Sequence, residues 1–178
     1  PDIYQGNELW RYSLVDPDNR RRVDYDLRKG ILGDLLHRAE GDKLALAQDL
    51  SANPETGHIK MYVTALSMRF RREKERLFMD GDYLPLKVTG SKADHICAYL
   101  RVHEDDIALI AVPRLVVRLT QGQAVMPSGE TIWDDTQIHV PQAYQLELNN
   151  LFTGETYPAG DTIAASTLFA HFPVALLR

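Results

Sequence analysis

The sequence predicts an α+β protein in which helices come first and antiparallel strands follow. Three observations carry this reading. Ile59, Tyr62, Val63, Leu66, Phe70 and Leu77 recur at helical spacing, while Lys60, Thr64, Arg71, Lys74 and Glu75 take the other side. Met79-Asp80-Gly81-Asp82 is a turn signal, and beyond it the chain reads in short extended runs. No helical period separates those runs, so hairpin-length connections and an antiparallel sandwich are expected.

Taken in order, Leu27, Ile31, Leu35 and Leu36 mark an amphipathic segment, with Asp24 and Asp26 near its start, where carboxylates favour the helix dipole. Gly30 and Gly33 weaken it by about 1 kcal/mol each relative to alanine. A short helical segment over 44–50 runs into Ser-Ala-Asn-Pro-Glu-Thr-Gly, whose residues break helices, so 51–58 reads as a loop. The clearest helix covers 59–78. Its basic run Arg69-Phe70-Arg71-Arg72-Glu73-Lys74-Glu75-Arg76 lies in the last turns, where cations complement the dipole and two glutamates break up the field. The extended runs are YLPLKVTG, HICAYLRV, IALIAVPRLVVRL, TIWDDTQIHV, a stretch around YQLELNNLFTG, and FPVALL. The boundary between the two parts is set at residue 80, giving 1–80 and 81–178.

The composition narrows the function. At 44% hydrophobic and 25% charged, the 178 residues suit a packed, globular chain rather than a disordered one. A net charge of -5 with interspersed signs offers no footprint for nucleic acid and is repelled by an acidic membrane surface. No apolar run approaches the roughly 20 residues that span a bilayer. The single Cys97 sits in an apolar alternation, which suits a small buried hydrophobe in a reducing cytoplasm.

Few motifs survive weighing. His95 and His103 lack zinc-ligand spacing. Gly90-Ser91-Lys92 lacks the earlier glycine that a phosphate loop requires. No serine is marked as a nucleophile on a strand-to-helix turn. Glycoside chemistry needs two carboxylates converging on one bond. Asp134 and Asp135 are adjacent and would face opposite sides of a strand, so they read as a turn. Trp133 and Tyr144 could offer flat surfaces to a sugar, but core packing is the simpler reading for both.

The opening, PDIYQGNELWRYSLVDPDNRR, is the richest stretch. It has no initiator Met and no leader pattern, and it reads as a cut start in which Ile3 and Tyr4 form a buried strand that ends at a ligand-facing loop. Tyr4 and Trp10 supply flat surfaces, Gln5, Asn7 and Asn19 can hydrogen-bond hydroxyls, and Glu8, Asp16, Asp18, Arg20 and Arg21 can form charge-assisted bonds. An Asp/Arg network that staples a loop to a helix start explains the same residues equally well.

PDIYQGNELW resembles the segment at the eighth strand of the α-amylase-type glycoside hydrolase barrel, where a P-x-x-Y-x-G-x-E pattern falls here on Pro1, Tyr4, Gly6 and Glu8. SLVDPDNRR followed by VDY, the helix with ALSMRFRRE, the strand pair with ADHICAYLR and the ending FPVALL extend the resemblance, towards members that rearrange maltooligosaccharides. Arg22 stands where the usual motif has proline. The resemblance implies the C-terminal portion of a longer enzyme: residues 1–80 as the last strand, loop and closing helices of an upstream (β/α)8 barrel, and 81–178 as a β-sandwich. It implies an intramolecular transglucosylation that turns the reducing-end α-1,4 linkage of a maltooligosaccharide into an α,α-1,1 linkage, with no metal or organic cofactor. The aspartate nucleophile, the glutamate acid/base and a third aspartate of that chemistry belong to earlier strands, and no position here matches them, so the piece alone is expected to be inactive. Its expected partners are the maltooligosaccharide and the upstream barrel. The resemblance also implies a substrate rim or supporting layer at Tyr4, Gln5, Glu8, Asp18, Asn19, Arg20 and Arg21, since such sites lie at the C-terminal ends of barrel strands. Two competing readings are a stand-alone glucan-binding sandwich with a platform such as Trp133, and an independent interaction domain.

Overall fold

The structure, a computed structural model, describes residues 4–13 and 16–178, apart from the side chains of Asp18 and Asn19. Five helices come first: α1 (Asp16–Asn19), α2 (Tyr25–Gly41), α3 (Lys43–Ala52), α4 (His58–Glu73) and α5 (Glu75–Met79). Their ends follow from local chemistry. Asp24 caps α2 by accepting the Leu27 N–H at 2.9 Å, and Asp42 caps α3 by accepting that of Ala45 at 3.0 Å. Each cap satisfies a donor that the helix cannot, a contribution of about 1 kcal/mol. The expected helix over 59–78 divides at Lys74, whose backbone leaves helical geometry while its ammonium bonds the Asp106 carboxylate at 2.6 Å.

The strand half contains β1 (Asp82–Pro85), β2 (Val88–Thr89), β3 (Ile96–His103), β4 (Asp106–Pro113), β5 (Gln137–His139), β6 (Leu148–Asn149), β7 (Thr156–Tyr157), β8 (Thr162–Ala164) and β9 (Ala175–Leu177). Among the described residues all pairings are antiparallel, in three sheets ordered β1-β3-β4-β9, β2-β5-β8 and β6-β7. The β3–β4 hairpin sets His103 opposite Asp106, with Glu104 at φ 54° in its turn.

Several of the expected runs are shorter than their residues suggested; the stretch around 144–154 is extended only at Leu148–Asn149, and FPVALL only at Ala175–Leu177. The run over 107–119 stops at Pro113, because Leu115 takes a left-handed φ of 53° and the chain enters a short helix, α6 (Val116–Leu119). The β-branched pair Val116-Val117 signals a strand, but the reversal before it removes the sheet partner that a strand needs. The run over 131–140 is extended only at Gln137–His139, since Asp134 turns the chain at φ 46°. A last short helix, α7 (Ala165–Leu168), follows β8 without any break in the sequence to announce it.

Alternation along β3 and β4 divides the interior in two. Ile96, Ala98, Leu100, Leu109 and Ala111 face one core, which they share with Trp133, Ile138, Phe169 and Leu177. Ala108, Ile110 and Leu176 face the other, which receives Leu35, Leu46, Leu50, Ile59, Tyr62 and Phe70 from the helices. The helices thus complete their core with the back of the sheet and with Phe152 and Phe172. Tyr62 fastens this seam: its hydroxyl donates to the Phe152 carbonyl at 2.8 Å, and burial pushes its pKa up to about 12. Cys97 lies half-buried on the helix-facing side of β3.

Candidate substrate-rim site

The opening segment lies across α2 and α4, and glycines permit the approach. Gly57, at φ 74°, has no room for a side chain, because an added Cβ would sit 2.7 Å from the Trp10 backbone nitrogen. Gly6, at φ 83°, packs as closely on Val23, whose Cγ2 would lie 2.6 Å from such a Cβ. Around Gly6 the chain turns, with the Asn7 N–H donating to the Tyr4 carbonyl at 3.2 Å.

Glu8 closes this turn. Its Oε1 accepts the Gly6 N–H at 3.2 Å and its Oε2 accepts Arg28 Nε at 2.9 Å. Arg28, on α2, also donates to the Gly6 carbonyl at 2.8 Å and to the Asp24 carbonyl at 3.0 Å, so one guanidinium ties loop and helix start together. Burial raises the Glu8 carboxyl pKa, but bonds from its own backbone N–H, from Arg28 and from Gly6 outweigh it and hold the group below its ordinary value. A general acid needs the opposite shift. Glu8 is therefore equipped to position the loop rather than to protonate a leaving group.

The remaining expected residues divide by setting. Tyr4 is 63% exposed and starts the turn, while Pro1 and Ile3, on which the expected strand also depends, lie outside the described residues. Gln5 accepts the Tyr25 hydroxyl at 3.3 Å. Arg20 pairs with Asp16 at 2.5 Å across one exposed turn, and Arg21 is exposed beside it. Asp18 and Asn19 belong to α1, with side chains outside the described set.

Arg28 and Lys60 are absent from the sequence-derived set. Lys60 donates to the Asn7 side chain at 2.9 Å and stands 5.5 Å over the Trp10 ring, while Trp10 Nε1 donates to the Pro54 carbonyl at 2.6 Å. Lys60 had been placed on the polar side of its helix, and Arg28 carried no signal beyond being a cation within a helical segment. Tyr4, Trp10, Tyr12 and Tyr25 remain partly to largely exposed here. Flat apolar rings beside amide and guanidinium donors suit the CH faces and hydroxyls of a sugar.

Other candidates resolve structurally. Trp133 is fully buried, 4.9 Å from the Phe169 ring, so it offers no platform to a glycan. Asp134 and Asp135 form the expected turn and hold Ser91, at 3.2 Å through Asp134 and 2.8 Å through Asp135. Among the described residues, no three His, Cys, Asp or Glu side chains gather to hold a metal, and no helix is long and apolar enough to cross a membrane.

No protein-family model matches the chain. Two Mycobacterium tuberculosis proteins provisionally named maltooligosyl trehalose synthase are 38% identical to it over 177 residues, which is 99% of the chain. The chain is similar to a stretch of maltooligosyl trehalose synthase. It spans 18% of the length of these curated relatives. The solved maltooligosyltrehalose synthase from Arthrobacter ramosus, and a point mutant of it, match 99% of the chain at 32% identity with a TM-score of 0.70, over 20% of their own length. Sequence and fold thus point to the same enzyme, and the likeness runs through the strand half as well as the opening segment.

Proposed function

We propose that the chain is the C-terminal portion of a maltooligosyltrehalose synthase, whose intact form converts the reducing-end α-1,4 linkage of a maltooligosaccharide into an α,α-1,1 linkage by intramolecular transglucosylation. The observation that carries this is the agreement of sequence and fold over 99% of the chain against a fifth or less of each relative. Residues 1–80 then provide the end of a (β/α)8 barrel, and 81–178 a small β-sandwich packed behind it. The packing supports this arrangement, since strands of all three sheets contribute to the Trp133 interior while the helices rest on the back of the β1-β3-β4-β9 sheet. The parent enzyme works in the cytoplasm without metal or organic cofactor, and its reacting carboxylates come from the preceding polypeptide. Within this portion, Tyr4, Gln5, Glu8, Asp18, Asn19, Arg20 and Arg21 form the substrate rim and its support. Glu8 acts through Arg28, and the exposed aromatic rings meet the glucosyl unit. The portion alone turns over no substrate.

The test is product analysis of the full-length protein with maltopentaose. The reducing end should disappear without loss of chain length, and a new anomeric signal for an α,α-1,1 linkage should appear. Release of glucose or maltose with no non-reducing product would overturn the assignment.

A further inference from the structure

Trp10 is held from three directions and still stays 43% exposed. At its edge, Nε1 donates to the Pro54 carbonyl at 2.6 Å, in the turn that precedes α4. Over its ring stands the Lys60 ammonium, 5.5 Å from the centroid, where the electron-rich face of an indole attracts a cation. Gly57 leaves the room for this placement, since a Cβ there would lie 3.1 Å from Trp10 Cδ1. The same ammonium donates to Asn7 Oδ1 at 2.9 Å, so Lys60 sets the indole and the Asn7 amide at a fixed spacing. With Oδ1 engaged, Asn7 keeps its two side-chain N–H donors for a further acceptor. An indole fixed in position but open to solvent is a preorganised surface for the CH face of a sugar.

We propose that Trp10 is the stacking platform for a glucosyl unit away from the bond that rearranges, that Lys60 is its positioning residue, and that the pair sets the chain-length preference. The inference rests on the reading of the chain as a portion of a maltooligosyltrehalose synthase. Rearrangement of the reducing-end linkage turns the terminal unit alone, and every other unit keeps its linkage before and after. A platform pinned by Pro54, Gly57 and Lys60 cannot follow a unit that turns, so it suits one that stays. Its contacts are then equal in ground and transition state, and binding of that kind lowers KM without raising kcat. Glu8 and Arg28 hold the turn at Gly6 through separate bonds, so the platform can be altered while that turn stays fastened.

The experiment measures kcat and KM of the full-length protein for maltotriose through maltoheptaose, with trehalose-ended product as the readout. In the unaltered protein KM should fall at the chain length that reaches Trp10. Trp10→Ala should abolish that fall, raising KM about threefold to tenfold for the longer substrates relative to maltotriose, with kcat little changed. Lys60→Met keeps the stem and removes the charge; it should raise the same KM values about twofold to fivefold, and Lys60→Arg should restore most of the loss. An equal loss at every chain length, or a fall in kcat, would overturn the proposal, because a merely structural anchor or a residue at the reacting bond behaves in that way. Unchanged KM values would overturn it too, and Lys60→Met carries the test should Trp10→Ala fold poorly. Calorimetric titration with maltoheptaose separates the two readings. Weaker binding by Trp10→Ala in a protein that forms no trehalose-ended product leaves the platform standing and removes the function, whereas product formed with unaltered KM values does the reverse.

Discussion

The segment over 4–13 and the sheet around Trp133 are held by different forces. In the segment, Arg28 gathers the Glu8 carboxylate and two carbonyls, Lys60 holds Asn7, and Trp10 donates to Pro54, while among its described residues Leu9 alone packs against the helical core. Around Trp133, Leu100, Leu109, Ile138, Phe169 and Leu177 are almost wholly removed from water. Burial of a large side chain contributes roughly 1.5–3 kcal/mol, whereas a single hydrogen bond nets about 1 kcal/mol. The candidate rim is therefore the weakly fastened region, and the strand half is the anchor. A rim built this way can adjust to a ligand at small cost, provided that the anchor does not move.

The largest effect should come from the anchor. Trp133→Ala removes the fully buried indole and should destabilise the chain by about 3–5 kcal/mol, read by chemical denaturation. A loss below 1 kcal/mol would place the core elsewhere. Next comes the seam. Tyr62→Phe strips the Phe152 carbonyl of its donor and should cost about 1–3 kcal/mol. The same phenol makes a pH prediction. Its folded pKa, about 12, lies above the ordinary value near 10, so its contribution is complete below pH 10 and is lost as pH rises towards 12. Alkaline denaturation should be steep in that window and shallower in Tyr62→Phe.

Smaller global effects are expected in the segment. Arg28→Ala should leave the melting temperature nearly unchanged while amide exchange over 4–13 accelerates, because two anchors of the segment are lost at once. Glu8 gives the acid counterpart. Its carboxyl is held below its ordinary value in the folded chain, so its contribution is present above that value and is lost as pH falls through the depressed one. Acidification should release the segment first, and Arg28→Ala should weaken that pH dependence, leaving the part carried by the backbone N–H groups of Glu8 and Gly6. The smallest effect on stability is expected for Arg20→Ala, since the Arg20 and Asp16 side chains are 79% and 66% exposed. In the full-length enzyme it should raise hydrolysis relative to isomerisation of maltopentaose, and an unchanged product ratio would remove Arg20 from the rim.

The sequence was most informative where local chemistry and tertiary packing agree. Asp24 announces a helix start, and the Ile59–Phe70 stripe announces a buried face, because capping and periodicity are short-range. The break at Lys74 was hidden, since no glycine, proline or turn residue marks it in the helical pattern. Val116-Val117 misled, because β-branched residues favour strands only where a partner strand exists. In the candidate site, Tyr4, Gln5 and Glu8 stood out as polar and aromatic residues in a loop. Arg28 and Lys60 did not, because a cation within a helix pattern looks solvated until the fold brings it an acceptor, the Glu8 carboxylate for Arg28 and the Asn7 amide oxygen for Lys60. Trp133 shows the limit from the other side: its side chain fits a sugar or a core equally well, and only its burial decides.

Amide hydrogen exchange on the 178-residue chain, resolved by peptide, tests the division between rim and anchor most directly. Residues 4–13 should exchange within the fastest class, while β3, β4 and α4 should exchange only through global unfolding. Strong and uniform protection across 4–13 and the sheet would contradict the account, because polar anchoring alone would then hold the rim as firmly as the buried core.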